Sequence, residues 1–465
     1  MTRLVIANVA LPEGLRDVEV VDGVITGIGD RLTTTGSDAV DGRGGALIPG
    51  LHDHHLHLHA LAAAWESVRC GPPDVRNSDE LAEALESAPG AGDADWVRGV
   101  DYVETVAGLL DRETLDQLHT RRPVRLQHRS GAVWFLNSAA AAAVDLANGD
   151  HPGVERDASG EPTGRVWRAD TWLRERLGAT RPPALATVGT ELARFGVTAV
   201  TDATPDLPAG SLAHLLAEHT SGALPQRLHL LGAGTDTEGL PSTITLGPRK
   251  IVLADSDLPD FPTLCRWVRD TRDRGGGVAV HSVTRESLLL LLAAFDEVGT
   301  HPDDRIEHGA IIAAETATEL CRRGIPVVTQ PGFIADRGDD YLDRLDPHDA
   351  ADLYRCRTLL DAGVRVALSS DAPYGPTDPW SVIAAAAART APDGRIVGGG
   401  ERIDRHTALR LYLAPLPTPG ADPRTVAVGA PADLVVLDCS VDEALTIGSD
   451  AVRCTIIRGR VVHHR

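Results

Sequence analysis

The chain has 465 residues, 43% hydrophobic and 24% charged, a globular composition long enough for more than one domain. Sixty-six acids against 45 bases give a net charge of −21, which excludes phosphate-backbone binding, because that needs clustered positive charge. Six cysteines (Cys70, Cys265, Cys321, Cys356, Cys439, Cys454) form no CxxC pair, no 18-residue apolar run marks a membrane span, and the first residues lack an apolar signal core. The expectation is a soluble protein of the cytoplasm with reduced thiols.

In chain order, the first 45 residues alternate apolar and polar positions through Leu4–Val9, Asp17–Val21 and Val24–Ile28, with Asp22-Gly23 marking a tight hairpin. The last 35 residues look alike, with Leu434–Leu437, a run from Val452 to Ile457, and Arg458-Gly459 before Arg460-Val461-Val462. Neither end can bury enough surface alone, so residues 1–48 and 402–465 are expected to form one composite β-sandwich. Between them lie eight candidate strands, at 46–57, 197–202, 227–231, 249–253, 278–281, 305–308, 326–330 and 364–369. Helical patterns at 286–295, 314–323 and 353–361 separate the later ones. Eight β/α alternations imply an α/β fold, a (β/α)8 TIM barrel spanning residues 49–69 and 186–401. The gap after the first strand is too long for one crossover. Residues 70–185 therefore read as an inserted lobe.

Active sites of such barrels lie at the carboxyl ends of the strands. The first strand runs Leu51-His52-Asp53-His54-His55-Leu56-His57-Leu58-His59, and residues two apart on a strand face the same way, so His55 and His57 can share one metal ion. The fourth strand carries Lys250, the fifth ends at His281, the sixth at Glu307-His308, and the eighth at Ser370-Asp371. Lys250 is the one lysine of the chain. Every other basic residue is arginine, which, unlike lysine, cannot lose its proton. A single histidine is usually an ordinary hydrogen-bonded residue. The coincidence of these groups at successive strand ends is what points to a site.

These residues resemble the amidohydrolase superfamily, and most of all the branch that includes N-substituted formamide deformylase. Pro49-Gly50-Leu51-His52-Asp53-His54-His55-Leu56-His57 resembles the start of that family's barrel. Arg305-Ile306-Glu307-His308, Gln330-Pro331, Ser369-Ser370-Asp371-Ala372-Pro373 and Ala432-Asp433-Leu434-Val435-Val436-Leu437 extend the resemblance over nearly the whole chain. The resemblance implies two divalent metal ions, zinc before manganese or iron. His55, His57 and Asp371 would hold one, His281 and His308 the other, with a carbamate on Lys250 bridging them. His52, His54 and His59 would then be structural. It further implies hydrolysis of a carbon–nitrogen bond in an amide, formamide or related small molecule through a metal-bound hydroxide, with Asp371 as general base then acid and Lys250 as the bridging group.

Departures fall on the substrate side. Ala132 follows Ser130-Gly131 where the branch often has histidine, and Arg165-Val166-Trp167-Arg168-Ala169 stands where a glutamate is common. Ser282-Val283-Thr284-Arg285 replaces the usual sequence after His281. Trp96, Tyr102, Trp134, Trp167 and Trp380 are candidates for an apolar pocket. Two other readings stay open: a deaminase or cyclic-amide hydrolase on the same barrel, and, ranked below both, a non-catalytic scaffold. A small-molecule substrate is expected, with neither nucleic acid nor membrane as partner and a homodimer left open as the assembly.

Overall fold

The computed structural model describes residues 2–33, 38–89, 95–119, 121–178, 182–234, 239–255 and 257–465. The chain forms two compact units, Met1–Leu58 with Leu185–Arg465, and His59–Ala184.

In the first unit the two ends make two four-stranded sheets. Val24–Gly29, Gly14–Val21, Arg3–Leu11 and Asp38–Asp41 lie side by side in one, and Arg460–His464, Val452–Ile457, Leu434–Leu437 and Leu47–Pro49 in the other. Asp22-Gly23 forms the hairpin turn, with both residues at positive φ between paired Val21 and Val24. Arg458-Gly459 repeats the device between Ile457 and Arg460. The two turns abut. A Cβ on Gly23 would come within 3.0 Å of the Arg458 carbonyl oxygen, and one on Gly459 within 2.9 Å of Val20. Alternate residues of both sheets (Leu4, Ile6, Val18, Val20; Leu434, Val436, Cys454, Ile456) share one apolar cluster, as period-two side chains on facing sheets must. Residues 402–433 add no strand to either sheet; their regular element is the helix Arg405–Arg410.

The rest of this unit is α/β. Leu51–Leu56, Val197–Asp202, Arg227–Leu230 and Ile244–Leu246 pair in parallel as one sheet. Arg249–Val252, Val278–Ser282, Arg305–His308, Val327–Thr329 and Val366–Leu368 form a second parallel sheet. Backbone bonds join the sheets at both edges: Lys250 N–H donates to Leu231 O at 3.2 Å, and Asp371 N–H to His55 O at 2.9 Å. Ile251, Val278, Val280, Ile306, Val327 and Val366 pack outward against Leu264, Val268, Leu288, Leu291, Phe295 and Leu320 of the flanking helices. Residues of opposite parity (Lys250, Ala279, His281, Arg305, Glu307) are thereby assigned to the inner face.

Two expectations for the elements of this unit need correction. Residues 46–57 are two strands, because the chain changes sheet at Gly50. Leu47–Pro49 pairs with Leu434–Val436, and Leu51–Leu56 with the strand Val197–Asp202. Thr198 Cγ2 lies 2.1 Å from where a Gly50 Cβ would sit, so only glycine fits this crossing. The helix expected at 353–361 starts only at Arg357. Tyr354 takes φ 43° and bonds through its N–H to Ala310 O at 2.7 Å, which takes it out of the helix. Ile244–Leu246 is a short strand not foreseen.

The second unit carries a six-stranded sheet ordered Val154–Arg156, Pro162–Trp167, Val133–Leu136, Val124–His128, Val97–Tyr102, Val68–Arg69. Residues 59–69, expected with the barrel, belong to this unit, and Val68–Arg69 is its edge strand. Two apolar clusters pack it, one around Leu81, Leu115 and Phe135, the other around Trp134, Val166 and Leu173.

Candidate metal centre

The inner face of the second sheet and the end of the Leu51–Leu56 strand bring five of the six expected ligand residues together by direct distance. His57 Nε2 lies 3.3 Å and His55 Nε2 3.5 Å from Asp371 Oδ1; His308 Nδ1 lies 3.7 Å from Asp371 Oδ2. Lys250 Nζ is 3.4 Å from His55 Nε2. The sixth, His281, is reached through His308, the two rings packing edge-to-face with centroids 4.4 Å apart.

Local backbone explains this convergence. His281 is in register with Glu307, and Ser282 with His308, so strict alternation would point His308 away from His281. His308 escapes by taking φ 70°, followed by Gly309 at φ 52°, whose N–H donates to Ser282 O at 3.0 Å. Asp371 also sits at positive φ, 54°, a conformation uncommon outside glycine. Reciprocal bonds hold it, Asp371 N–H to His55 O and His57 N–H to Ala372 O, both 2.9 Å. His308 and Asp371 thus owe their approach to each other to backbone conformations that the surrounding hydrogen bonds hold in place.

Electrostatics follow burial. Desolvation pushes the His55 imidazole down to about 3, with the Lys250 charge adding to the effect against Glu307. Burial likewise lowers His281 and His308, the direction that favours an imidazole with a free lone pair. The Lys250 ammonium is pushed by burial down to about 8, although Glu307 and Asp371 pull the other way. Burial works to raise the Asp371 carboxyl, yet His308, His57 and His55 together hold it below the usual carboxylate range. Asp53 differs. Burial raises it to about 7, even though it accepts bonds from the Ser370 and His55 N–H groups.

Asp371 Oδ1 is buried and has no hydrogen-bond partner among the described residues. A buried carboxylate oxygen between two imidazole nitrogens, with no hydrogen bond of its own, is poorly satisfied by the protein alone and well satisfied by a cation. Nitrogen and carboxylate donors suit zinc and neighbouring divalent metals. The residues present therefore fit a divalent ion, and His55, His308 and Asp371 each offer a ligand atom within 4.8 Å of the others.

Two residues that the sequence reading quoted without a role support the centre. Glu307, fully buried, bonds His55 Nδ1 and is itself paired with Arg305, whose Nη2 donates to His54 O at 2.7 Å. Gln330 Oε1 accepts from His308 Nδ1 at 2.9 Å, while its own Nε2 donates to Ser369 Oγ at 2.9 Å. Such partners fix ring orientation and leave the other nitrogen for metal. Glu307 shares inner-face parity with Arg305 and neighbours His308, a signal visible in the sequence. The remaining histidines of the first strand are apart from the centre: His52 Nδ1 contacts Ala414 O at 2.9 Å, His54 is buried, and His59 lies in the second unit.

The aromatic pocket is not borne out for the residues whose packing is clear. Tyr102 is fully buried and its hydroxyl donates to Gly108 O; Trp134 bonds Asp170 and packs against Arg98 and Arg125. Trp380 is buried, with its indole N–H on Phe195 O at 3.0 Å. Each is buried and has its polar atom committed to a hydrogen bond, Tyr102 and Trp380 to backbone carbonyls and Trp134 to the Asp170 carboxylate. Trp167 is exposed, bonded to Glu155.

Comparison with known proteins gives a consistent picture. A family model described as the amidohydrolase family matches residues 38–463. N-substituted formamide deformylase of Arthrobacter pascens is 26% identical over 466 residues, covering 86% of this chain and 85% of its own. Among solved structures, an uncharacterized metal-dependent hydrolase from Pyrococcus horikoshii OT3 matches the fold with a TM-score of 0.75 at 19% identity, over 97% of this chain and 100% of that one. N-isopropylammelide isopropylaminohydrolase from Burkholderia multivorans ATCC 17616 matches with a TM-score of 0.53 at 16% identity, over 99% and 98%.

Proposed function

The chain belongs to the amidohydrolase family, and from that premise we propose that it hydrolyses a carbon–nitrogen bond in a small-molecule amide, formamide or related group. The observation that carries this reading is the buried Asp371 carboxylate oxygen, set between His55 and His57 with no hydrogen bond among the described residues. We take the two parallel sheets as one (β/α)8 barrel, with the cluster at its carboxyl-end mouth. His55, His57 and Asp371 would hold one divalent ion and His281 and His308 a second, zinc being the first choice. Lys250, carrying a carbamate, would give both an anionic oxygen. Divalent ions bound there acidify water and polarise a carbonyl.

The chain's own groups do the rest. Asp371, held below the usual carboxylate range, accepts a proton from the attacking water and returns it to the departing nitrogen. Glu307 anchors His55 by Nδ1, so that Nε2 faces Asp371 and Lys250. Gln330 does the same for His308. Lys250 alone among the basic residues can exist as the neutral amine that carbamate formation requires.

One observation favours a second reading, a single-ion centre of the kind a deaminase or cyclic-amide hydrolase could use: His55, His308 and Asp371 by themselves make a compact three-ligand set. Elemental analysis followed by a screen of N-formyl, N-acyl and cyclic amides separates the two. The named formamide substrates of the Arthrobacter relative make N-formyl compounds the first probes. Close to two ions per chain with an amine released supports the proposal. One ion with ammonia or a ring-opened acid supports the second reading. Well under one ion after growth with zinc, and no turnover, returns the chain to the scaffold class.

A further inference from the structure

Beside the metal centre the segments after the strands Val278–Ser282, Arg305–His308, Val327–Thr329 and Val366–Leu368 close on one another around an arginine. Val283, Ala310, Ile311, Phe333, Ile334, Tyr354 and Tyr374 share a single apolar cluster, which Tyr341 joins. The helix Gly332–Arg344 loses helical geometry at Arg337 (φ −149°, ψ 23°). At that break the side chain, 11% exposed, turns its Nη2 onto the Tyr374 carbonyl and lays the guanidinium over Phe333, 4.6 Å from the ring centroid. Tyr374 is three residues beyond Asp371. Its N–H donates to Asp371 O at 2.9 Å, and its ring stands edge-to-face on His57 with centroids 5.7 Å apart. The Arg337 guanidinium is therefore tied to the loop that carries Asp371.

Two phenols accompany it. Tyr354 packs its ring on Phe333, the ring that Arg337 covers, with centroids 5.6 Å apart, and the Tyr341 and Tyr354 hydroxyls are 3.4 Å apart. Tyr354, 4% exposed, is anchored to the segment just past His308 by its bond to Ala310 O. The acid paired with Arg337 is its own neighbour Asp336, which is half exposed at 50% and contacts Nε and Nη2. Nη1 has no hydrogen-bond partner among the described residues. A nearly buried guanidinium with an open nitrogen, flanked by phenols, is an arrangement that recognises a carboxylate.

We propose that Arg337, with Tyr341 and Tyr354, forms an anion subsite of this centre, and that the substrate is an amide bearing a carboxylate a few bonds from the carbon–nitrogen bond that is cleaved. This rests on the hydrolase reading for the cleavage, but not for the binding. With Nε and Nη2 engaged by Asp336 and the Tyr374 carbonyl, Nη1 is the donor left for a ligand, and a charge-assisted bond to an anion is stronger than one to a neutral amide. The guanidinium bonds the carbonyl of Tyr374, on the loop that carries Asp371, so in this proposal the substrate has its cleaved bond at the metal cluster and its carboxylate at the arginine.

The test uses N-formyl and N-acyl amino acids of increasing chain length, each paired with its uncharged methyl ester, and glutarate as a non-hydrolysable anion. The wild-type protein is expected to favour the acids in kcat/KM by tenfold or more and to bind glutarate by calorimetry. Arg337→Gln should lower the acid-to-ester ratio by about a hundredfold, the loss of one charge-assisted pair, and abolish glutarate binding. Because Arg337 also braces the Tyr374 carbonyl, Arg337→Lys is the companion variant. It keeps a donor and a charge, and should lower the ratio by less while leaving melting and metal content unchanged. Esters cleaved as well as acids, or a ratio unmoved in both variants, would overturn the subsite. Glutarate bound through Arg337 with no amide cleaved would refute the hydrolase reading and leave the subsite standing.

Discussion

Replacing Glu307 by glutamine tests whether the centre depends on a carboxylate that never touches the reacting atoms. Glu307 is fully buried and serves two groups at once, His55 Nδ1 and the Arg305 guanidinium. A glutamine oxygen can still accept from His55, but as a neutral acceptor. Bonds to charged acceptors contribute about 1.5–3 kcal/mol against about 0.5–1.5 for neutral ones, and the difference corresponds to roughly tenfold or somewhat more in metal affinity. That falls in the range of about 10- to 100-fold for loss of a histidine's supporting partner. Arg305, only 2% exposed, would also lose its buried counter-charge, a cost of about 3–5 kcal/mol that should appear in melting. The two effects separate in the double variant Arg305→Met/Glu307→Gln, which removes the stranded charge. Competition of each protein with a zinc chelator, read beside its melting curve, gives both numbers. Stability should return in the double variant while zinc affinity stays low. Wild-type zinc affinity in a folded Glu307→Gln protein, or recovery of both properties together, would refute a positioning role for Glu307.

Asp371→Asn should cut hydrolysis by about a hundred- to ten-thousand-fold, the usual reach of general acid–base catalysis, with circular dichroism and melting near wild type. With one lysine in the chain, protein reconstituted in isotopically labelled bicarbonate should give one lysine carbamate resonance that Lys250→Ala removes. An active, metal-loaded enzyme lacking that resonance would overturn the bridging role. Gly50→Ala must displace Thr198 or the crossing strand, since its Cβ would sit 2.1 Å from Thr198 Cγ2, and should destabilise the protein by about 1–3 kcal/mol or more in chemical denaturation.

What the sequence disclosed and what it hid divide along one physical line. Asp22-Gly23 and the alternation around it are local, and the turn forms as written, because positive φ at two successive residues depends on those residues alone. The strands that carry Lys250, His281 and His308 were likewise legible from short apolar runs. The inner-face parity of Lys250 and His281 follows from Ile251 and Val280 facing the helices, whereas His308 shares the parity of Ile306 and joins them only through its positive φ. Gly50 was quoted as part of a motif, yet its meaning lay in Thr198, some 150 positions away, so the division of 46–57 between two sheets could not be read locally. Tyr354 left its expected helix for a bond to Ala310 O, again a partner distant in sequence. Glu307 shows the same limit at the centre itself. Its neighbour His308 drew attention because histidine is a metal-ligand type, whereas a carboxylate's role depends on what stands opposite. His55, some 250 residues earlier, stands there only once the strands have closed. Residue type reveals which groups can bind metal; the partners that fix their orientation are set by register between strands.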